Sequence, residues 1–286
     1  MGDHDLHPGA AVSDFYRVER HIGTGAHGSV WEVHHKILGT LAMKVFNDPP
    51  GEDVVSLLRE AHVLSGINHP HIIRVFEAGI LDLNEGPRAF LTTQLMREGS
   101  LEDLLGIDVR FSVKLAIDIT AQLLSALATI HSLKPAVIHR DIIPSNIFIE
   151  SLEPMSIKLG DFAIAQPVVA GLDLVPVGGV FRYFAPESAH GYMTPRTDLY
   201  AVGLLLYKML TGSFAFPEPQ VDPSQNLQAY LQQREQPPRP PSSLRRSLGP
   251  GVDGLVLRAL APRPQDRFPD AAAFRQACLA VLEMEG

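Results

Sequence analysis

"VIHRDIIPSNIFI", residues 137–149, places His139, Arg140, Asp141 and Asn146 inside an otherwise apolar segment. A polar group that loses water without finding a partner costs about 1–3 kcal/mol. Four of them at the flank of a buried strand therefore need a reason. One reading is a polar loop between two strands. The other is a catalytic loop, in which an acid, Asp141, stands five positions ahead of an amide, Asn146. The rest of the chain decides between them.

With 286 residues the chain can bury a sizeable core, as one large domain or as two lobes. Its 45% apolar and 20% charged residues are the composition of an ordinary globular protein. A net charge of -8 gives no general electrostatic reason to bind nucleic acid or an anionic membrane. Cys278 is the only cysteine, which excludes an intramolecular disulfide and a cysteine-based zinc site. The opening "MGDHDLHPGAAVSD" has acids and histidines where a signal peptide carries a basic and then an apolar stretch. Apolar runs such as "LYAVGLLLYKML" (199–210) are too short for a bilayer. A cytoplasmic protein without a membrane partner is expected.

Residues 1–14 read as a flexible tail. From Tyr16 to about Gln94, "YRVERHIGTG", "SVWEVHHKI", "LAMKVF", "IIRVFEAGIL" and "RAFLTTQL" have the β-branched and aromatic content of strands. One helix interrupts them, with Val54, Leu57, Leu58, Ala61 and Leu64 at helical spacing. After residue 97 the pattern turns helical, at 113–132, 197–212 and 251–260. The proline- and arginine-rich "REQPPRPPSSLRRSLGPG" (234–251) is expected to be a surface connection rather than a polyproline ligand. The pair His34 and His35 would face opposite sides of a strand and cannot easily share a metal. His69 and His71 are expected to form a turn.

"IGTGAHGSV" (22–30) supplies Gly23, Gly25 and Gly28 between two strand-like runs. Glycines let the backbone approach a polyphosphate and aim amides at it. A strand follows, which excludes a dinucleotide fingerprint, and the Gly-Lys-Ser/Thr ending of a P-loop is absent. Lys44 ends the apolar "LAMK", a costly place unless it meets an anion. Glu60, in the following amphipathic segment, is a candidate partner.

These motifs, in this order, resemble the eukaryotic-type (Hanks-type) serine/threonine protein kinases, a family also widespread in bacteria, over about residues 15–282. The resemblance implies an α+β, two-lobed fold. A small β-rich N-lobe with one main helix would occupy 15–95, and a larger, mostly helical C-lobe 97–282. It also implies ATP and Mg2+ as cofactors and a protein substrate. Ile22, Gly23, Gly25, Gly28 and Val30 would form the glycine-rich loop. Lys44, fixed by Glu60, would hold the α- and β-phosphates, and Asp141 would be the catalytic base. Asn146 and Asp161 would bind magnesium, the latter in "GDFA". Adenine would lie between Val30 and Ala42 above and Phe148 below, with backbone contacts at Gln94 and Met96 and Thr93 behind it. Asp198 would brace the catalytic loop, and Arg267 would pair with Glu187 of "FAPE".

The chain also departs from the family. Ile143 replaces the catalytic-loop lysine, Val180 the threonine that bonds it, and Ala163 the glycine after Phe162. Residues 161–187 contain no serine or threonine, so Arg140 has no phosphorylated partner there, though Asp173 offers a fixed charge. Losing one preorganised charge costs on the order of a hundred- to a thousand-fold in rate. A slow, soluble bacterial kinase with a divergent catalytic loop is expected. The alternatives are a pseudokinase that binds ATP and acts as a regulatory scaffold through a protein partner, and a small-molecule phosphotransferase.

Overall fold

The computed structural model describes residues 6–25, 28–47, 64–106, 109–162, 182–190, 193–217 and 232–285. The chain divides into two compact units, Met1–Arg97 and Glu98–Gly286. This is the expected α+β organisation: a β-sheet unit followed by a mostly helical one.

In the first unit the strands β1 (Tyr16–Gly25), β2 (Gly28–His35), β3 (Gly39–Phe46), β4 (Val75–Leu83) and β5 (Gly86–Gln94) form an antiparallel sheet in the order β1-β2-β3-β5-β4. Alternation along a strand turns Val33, Leu41, Met43 and Val45 to one face, where they are buried with Val18 and Phe90. Tyr16 joins this core and donates its hydroxyl hydrogen bond to Glu77. Burial, reinforced by that carboxylate, pushes the Tyr16 phenol up to about 12.

One expectation changes here. Residues 6–12 are not a free tail. Gly9 N donates to the Val18 carbonyl (2.8 Å), Val18 N to that of Ala10 (2.8 Å), and Ala10 and Val12 are buried. The small apolar residues of "GAAV" close an otherwise open edge of the core. Of the two neighbouring histidines, His34 is exposed and His35 buried, as strand alternation requires. The helix read from 54–64 lies almost wholly outside the described residues.

The second unit contains α1 (Leu101–Leu104), α2 (Val113–His131), the hairpin β6 (Ile147–Leu152) and β7 (Met155–Leu159), α3 (Pro195–Thr211), α4 (Pro241–Leu244), α5 (Pro250–Ala259) and α6 (Ala271–Glu285). Helix α2 starts where the Ser112 hydroxyl accepts from Leu115 N (3.1 Å). Helix α3 starts with a reciprocal cap between Thr194 and Thr197 and Pro195 in the first turn, and stops at Gly212 (φ 74°). Every residue of α3 from Thr197 to Thr211 is buried.

Contrary to the sequence reading, one apolar segment does reach membrane-spanning length. Helix α2 has 19 residues and a mean hydropathy of 1.5. It packs against α3, α6 and β7, with Ile117, Leu124 and Leu127 fully buried. The proline-rich 234–251 stretch is likewise more than a surface connection. It contains α4, and Arg245 donates from it to the carbonyls of Phe111 (2.7 Å) and Leu210 (3.1 Å).

Gly203 lets α3 approach α5. A Cβ added there would stand 2.8 Å from that of Ala259 and 3.0 Å from Leu260 Cδ2, whereas one at Gly254 of α5 meets nothing within 4 Å. Alanine gains up to about 1 kcal/mol in helix propensity at either position. Overpacking costs about 1–3 kcal/mol at Gly203 alone. Gly203→Ala should therefore lower, and Gly254→Ala raise, the midpoint of urea unfolding; a rise for both would show that α3 and α5 can move apart freely.

Candidate functional site

Hairpin pairing places the two ends of the site side by side. Ile147 pairs with Leu159, so Asn146 emerges from β6 opposite Gly160 at the end of β7, and Gly160 N donates to the Asn146 carbonyl (2.9 Å). Asp161 follows directly. Asn146 Nδ2 donates to the Asp141 carbonyl (3.0 Å) and to Asp141 Oδ2 (2.7 Å). With both amide hydrogens committed, Asn146 presents its oxygen as an acceptor.

Two residues in this region, Arg140 (φ 69°) and Asp161 (φ 55°), are the described non-glycine positions with left-handed backbone. Such conformations cost about 1–3 kcal/mol each and persist only where the surroundings impose them. At Arg140 the imposing group is Asp198, 1% exposed on α3. Its carboxylate accepts from Arg140 N (2.8 Å) and His139 N (2.9 Å), and His131 Nε2 lies 2.8 Å away.

His139 links the two loops. Its Nε2 donates to the Gly160 carbonyl (3.0 Å), its Nδ1 accepts from Asp141 N (3.4 Å), and its ring meets Phe162 edge to face at 4.7 Å. Those bonds require a neutral ring. Burial holds its pKa below the usual 6.5, against the opposing charges of Asp198, Asp141 and Asp161.

The first unit collects its own residues on one face. Val30 pairs with Lys44 and Ala42 with Thr93, so Val30, Ala42, Lys44 and Thr93 share the side opposite the core. The Lys44 ammonium lies 5.5 Å from the Phe46 ring. Gln94 and Met96, both half-buried, follow on β5 and the chain after it, and Ile22 is exposed on β1. Of the three loop glycines, Gly28 is needed for packing, because a Cβ would fall 2.2 Å from the Val45 carbonyl oxygen. Gly23 has open space around it. Phe148 is half-buried on β6, bridging to Ser100. Glu60, Ala163, Asp173 and Val180 lie outside the described residues.

The brace at Asp198 and the Glu187–Arg267 pair are found as expected. Arg267, 2% exposed, donates two parallel bonds to Glu187 (2.6 and 2.8 Å) and spends its other hydrogens on the carbonyls of Ala261, Pro262 and Arg196. A buried guanidinium is tolerable only when its donors are met in this way. Sequence reasoning missed His131, which touches the brace, and Thr197, whose hydroxyl donates to Glu187 (3.0 Å). Neither belongs to a spaced motif, so only tertiary contact identifies them.

Among the described residues no three or more His, Cys, Asp and Glu side chains gather as a metal site. Asn146 and Asp161 offer oxygens only. That suits a hard cation completing its shell with water and phosphate.

With this geometry, the chain belongs to the protein kinase family: the protein kinase domain model matches residues 16–278. It is 33% identical over 295 residues to the serine/threonine-protein kinase pkn3 of Myxococcus xanthus, covering 98% of this chain and 52% of that protein. It is 30% identical over 278 residues to the serine/threonine-protein kinase PknB of Mycobacterium leprae, covering 94% of this chain and 43% of that one. The chain thus spans about half the length of these relatives. The crystal structure of the PknI kinase domain of Mycobacterium tuberculosis is similar with a TM-score of 0.72 and 25% identity, over 97% of this chain and 99% of that one.

The neutral His139 sets a pH dependence. Below about pH 6.5 the unfolded chain takes up a proton that the folded chain refuses, so this contribution is complete above pH 6.5 and is lost as pH falls. The slope approaches about 1.4 kcal/mol per pH unit for one proton. Urea midpoints at pH 7.5, 6.5 and 5.5 should fall more steeply for the unmodified chain than for His139→Gln; equal slopes would assign the acid loss to other groups.

Proposed function

We propose that this chain transfers the γ-phosphoryl group of ATP to serine or threonine hydroxyls of a protein. The observation that carries this reading is the Asp141–Asn146 pair on a loop held in a strained backbone by Asp198. Strain maintained at a polar pair, Asp141 half-buried and Asn146 buried, is what a positioned reaction centre requires, and phosphoryl transfer depends mainly on positioning and charge neutralisation. The family supports the reaction class, and both relatives are named as serine/threonine kinases.

In this reading Asp141 accepts the hydrogen bond of the attacking hydroxyl and takes its proton as the oxygen–phosphorus bond forms. The bond from the γ-phosphorus to the bridging oxygen breaks, and ADP leaves. Asn146, fixed by both of its N–H groups, holds Asp141 in orientation. Lys44, with Glu60 as its partner, aligns the α- and β-phosphates. Mg2+, held by Asn146 and Asp161, would neutralise charge on the phosphates. Val30, Ala42 and Phe148 would contact adenine, with the backbone of Gln94 and Met96 recognising its edge. The open space at Gly23 fits close approach by a phosphate. The buried, lone Cys278 fits a reducing compartment such as the cytoplasm.

Ile143 favours a second reading, a regulatory scaffold that binds ATP without turning it over. Both are decided by transfer of labelled γ-phosphate from magnesium-ATP to the chain itself and to a generic basic protein. The unmodified chain should label serine or threonine, and Asp161→Asn should lower the rate on the order of a hundred- to a thousand-fold. Ile143→Lys should raise it, by less than that factor, because Val180 cannot bond the new ammonium. ATP binding with no transfer by either the unmodified chain or Ile143→Lys would leave the scaffold. Activity should also be independent of phosphorylation within 161–187; a stoichiometric activating phosphate mapped there refutes that independence.

A further inference from the structure

Next to the Glu187–Arg267 pair lies a second arginine that no motif predicts. Arg234 is 3% exposed, although it opens the proline-rich 234–251 stretch. Its guanidinium stacks over the Phe216 ring at 4.7 Å and donates through Nη2 to the Arg182 carbonyl at 3.3 Å. Arg182 stacks its own guanidinium over Phe214 at 4.3 Å, and Tyr183 meets that ring edge to face at 6.2 Å.

Both rings come from "SFAFP" (213–217), directly after α3. This short stretch is itself fixed. The Thr211 hydroxyl donates to the Tyr207 carbonyl (2.8 Å) and accepts from Ser213 N (3.1 Å), and Lys208 Nζ donates to the Gly212 carbonyl (2.6 Å) while lying 4.7 Å from Phe214.

Arg182 begins the segment that runs through Tyr183, Phe184, Ala185 and Pro186 into Glu187. The segment is therefore gripped at both ends, by Arg267 at Glu187 and by Arg234 at Arg182. The two guanidiniums belong to one assembly around Tyr200 of α3. Arg267 lies 4.5 Å over its ring, and both arginine charges oppose the burial that pushes the Tyr200 phenol up.

We propose that Arg234 is a positioning residue for the protein acceptor. By fixing the Arg182 main chain, it sets the shape of the 182–187 segment against which an acceptor chain is held. This inference rests on the phosphotransfer reading above. A buried arginine with only a general packing role would support the whole helical unit. Here Arg234 reaches the Arg182 carbonyl directly and stacks on Phe216, from the stretch that also holds Arg182, so its effect should be greatest on the 182–187 segment.

The test combines amide hydrogen exchange with steady-state phosphate transfer on the full chain, comparing the unmodified protein with Arg234→Met and Arg234→Lys. Arg234→Met should speed exchange on the order of tenfold in peptides covering 182–190 and leave those covering 139–146 unchanged. It should raise KM for the generic basic protein on the order of tenfold, with KM for ATP unchanged. Arg234→Lys keeps a cation over Phe216 but loses the guanidinium fork, so intermediate values are expected. Exchange that rises equally across the helical unit, or an unchanged acceptor KM, overturns the proposal. If the unmodified chain transfers no phosphate, the phosphotransfer reading fails and with it the acceptor role, while the exchange data still decide whether Arg234 holds the 182–190 segment.

Discussion

The buried carboxylate of Asp198 is the constraint on which the reactive half of this protein depends. Arg140 in left-handed backbone costs about 1–3 kcal/mol. Two hydrogen bonds from main-chain N–H groups to an ionised, buried acceptor contribute about 1.5–3 kcal/mol each. The bonds outweigh the strain, so the loop holds a shape it would not adopt alone. Removing the carboxylate would release that strain and leave two N–H groups without their acceptor. Asp198 is itself stabilised by its place in the first turn of α3, where the helix dipole favours a negative charge, and by His131.

From that point order passes along short bonds. His139 is held by its own N–H, and its ring then fixes Gly160 on one side and Phe162 on the other. The β6–β7 hairpin closes the circuit by bonding Gly160 to Asn146, which is tied to Asp141. Asp141 and Asn146 are thus at most two hydrogen-bonded residues from Asp198. Ile143 lies within this circuit, and its main-chain N–H donates to the Asp141 carbonyl (3.1 Å). The missing lysine therefore removes a charge without removing a strut, which is how the loop keeps its form.

The sequence made legible what depends on local pattern. The strands of the sheet and the helices at 113–131 and 195–211 follow from β-branched content and helical spacing, and Asp141, Asn146 and Asp161 from motifs of fixed separation. The β6–β7 hairpin was not read because "IFIESLEPMSIKL" follows the catalytic loop without a break, and its alternation is only a few residues long on either side of the turn. The packing of residues 6–12 was missed because small residues such as Ala10 and Val12 look the same in a tail and in a core. His131, Thr197 and Arg234 were missed for another reason. Their partners stand 67, 10 and 52 positions away, and no spacing rule connects them.

Helix α3 joins these networks. Its first turn carries Asp198 for the catalytic loop, its second carries Tyr200 between the arginines that grip Arg182 and Glu187, and its last carries Lys208 against Phe214. At 1.5 Å per residue its 17 residues span about 25 Å. A helix buried along nearly all of that length cannot bend or rotate without disturbing close packing. Gly203 brings it nearer still to α5. The loop that bears Asp141 and the segment proposed to hold the acceptor are thus set by one rigid element. Their relative placement is fixed by the rise and turn of a helix.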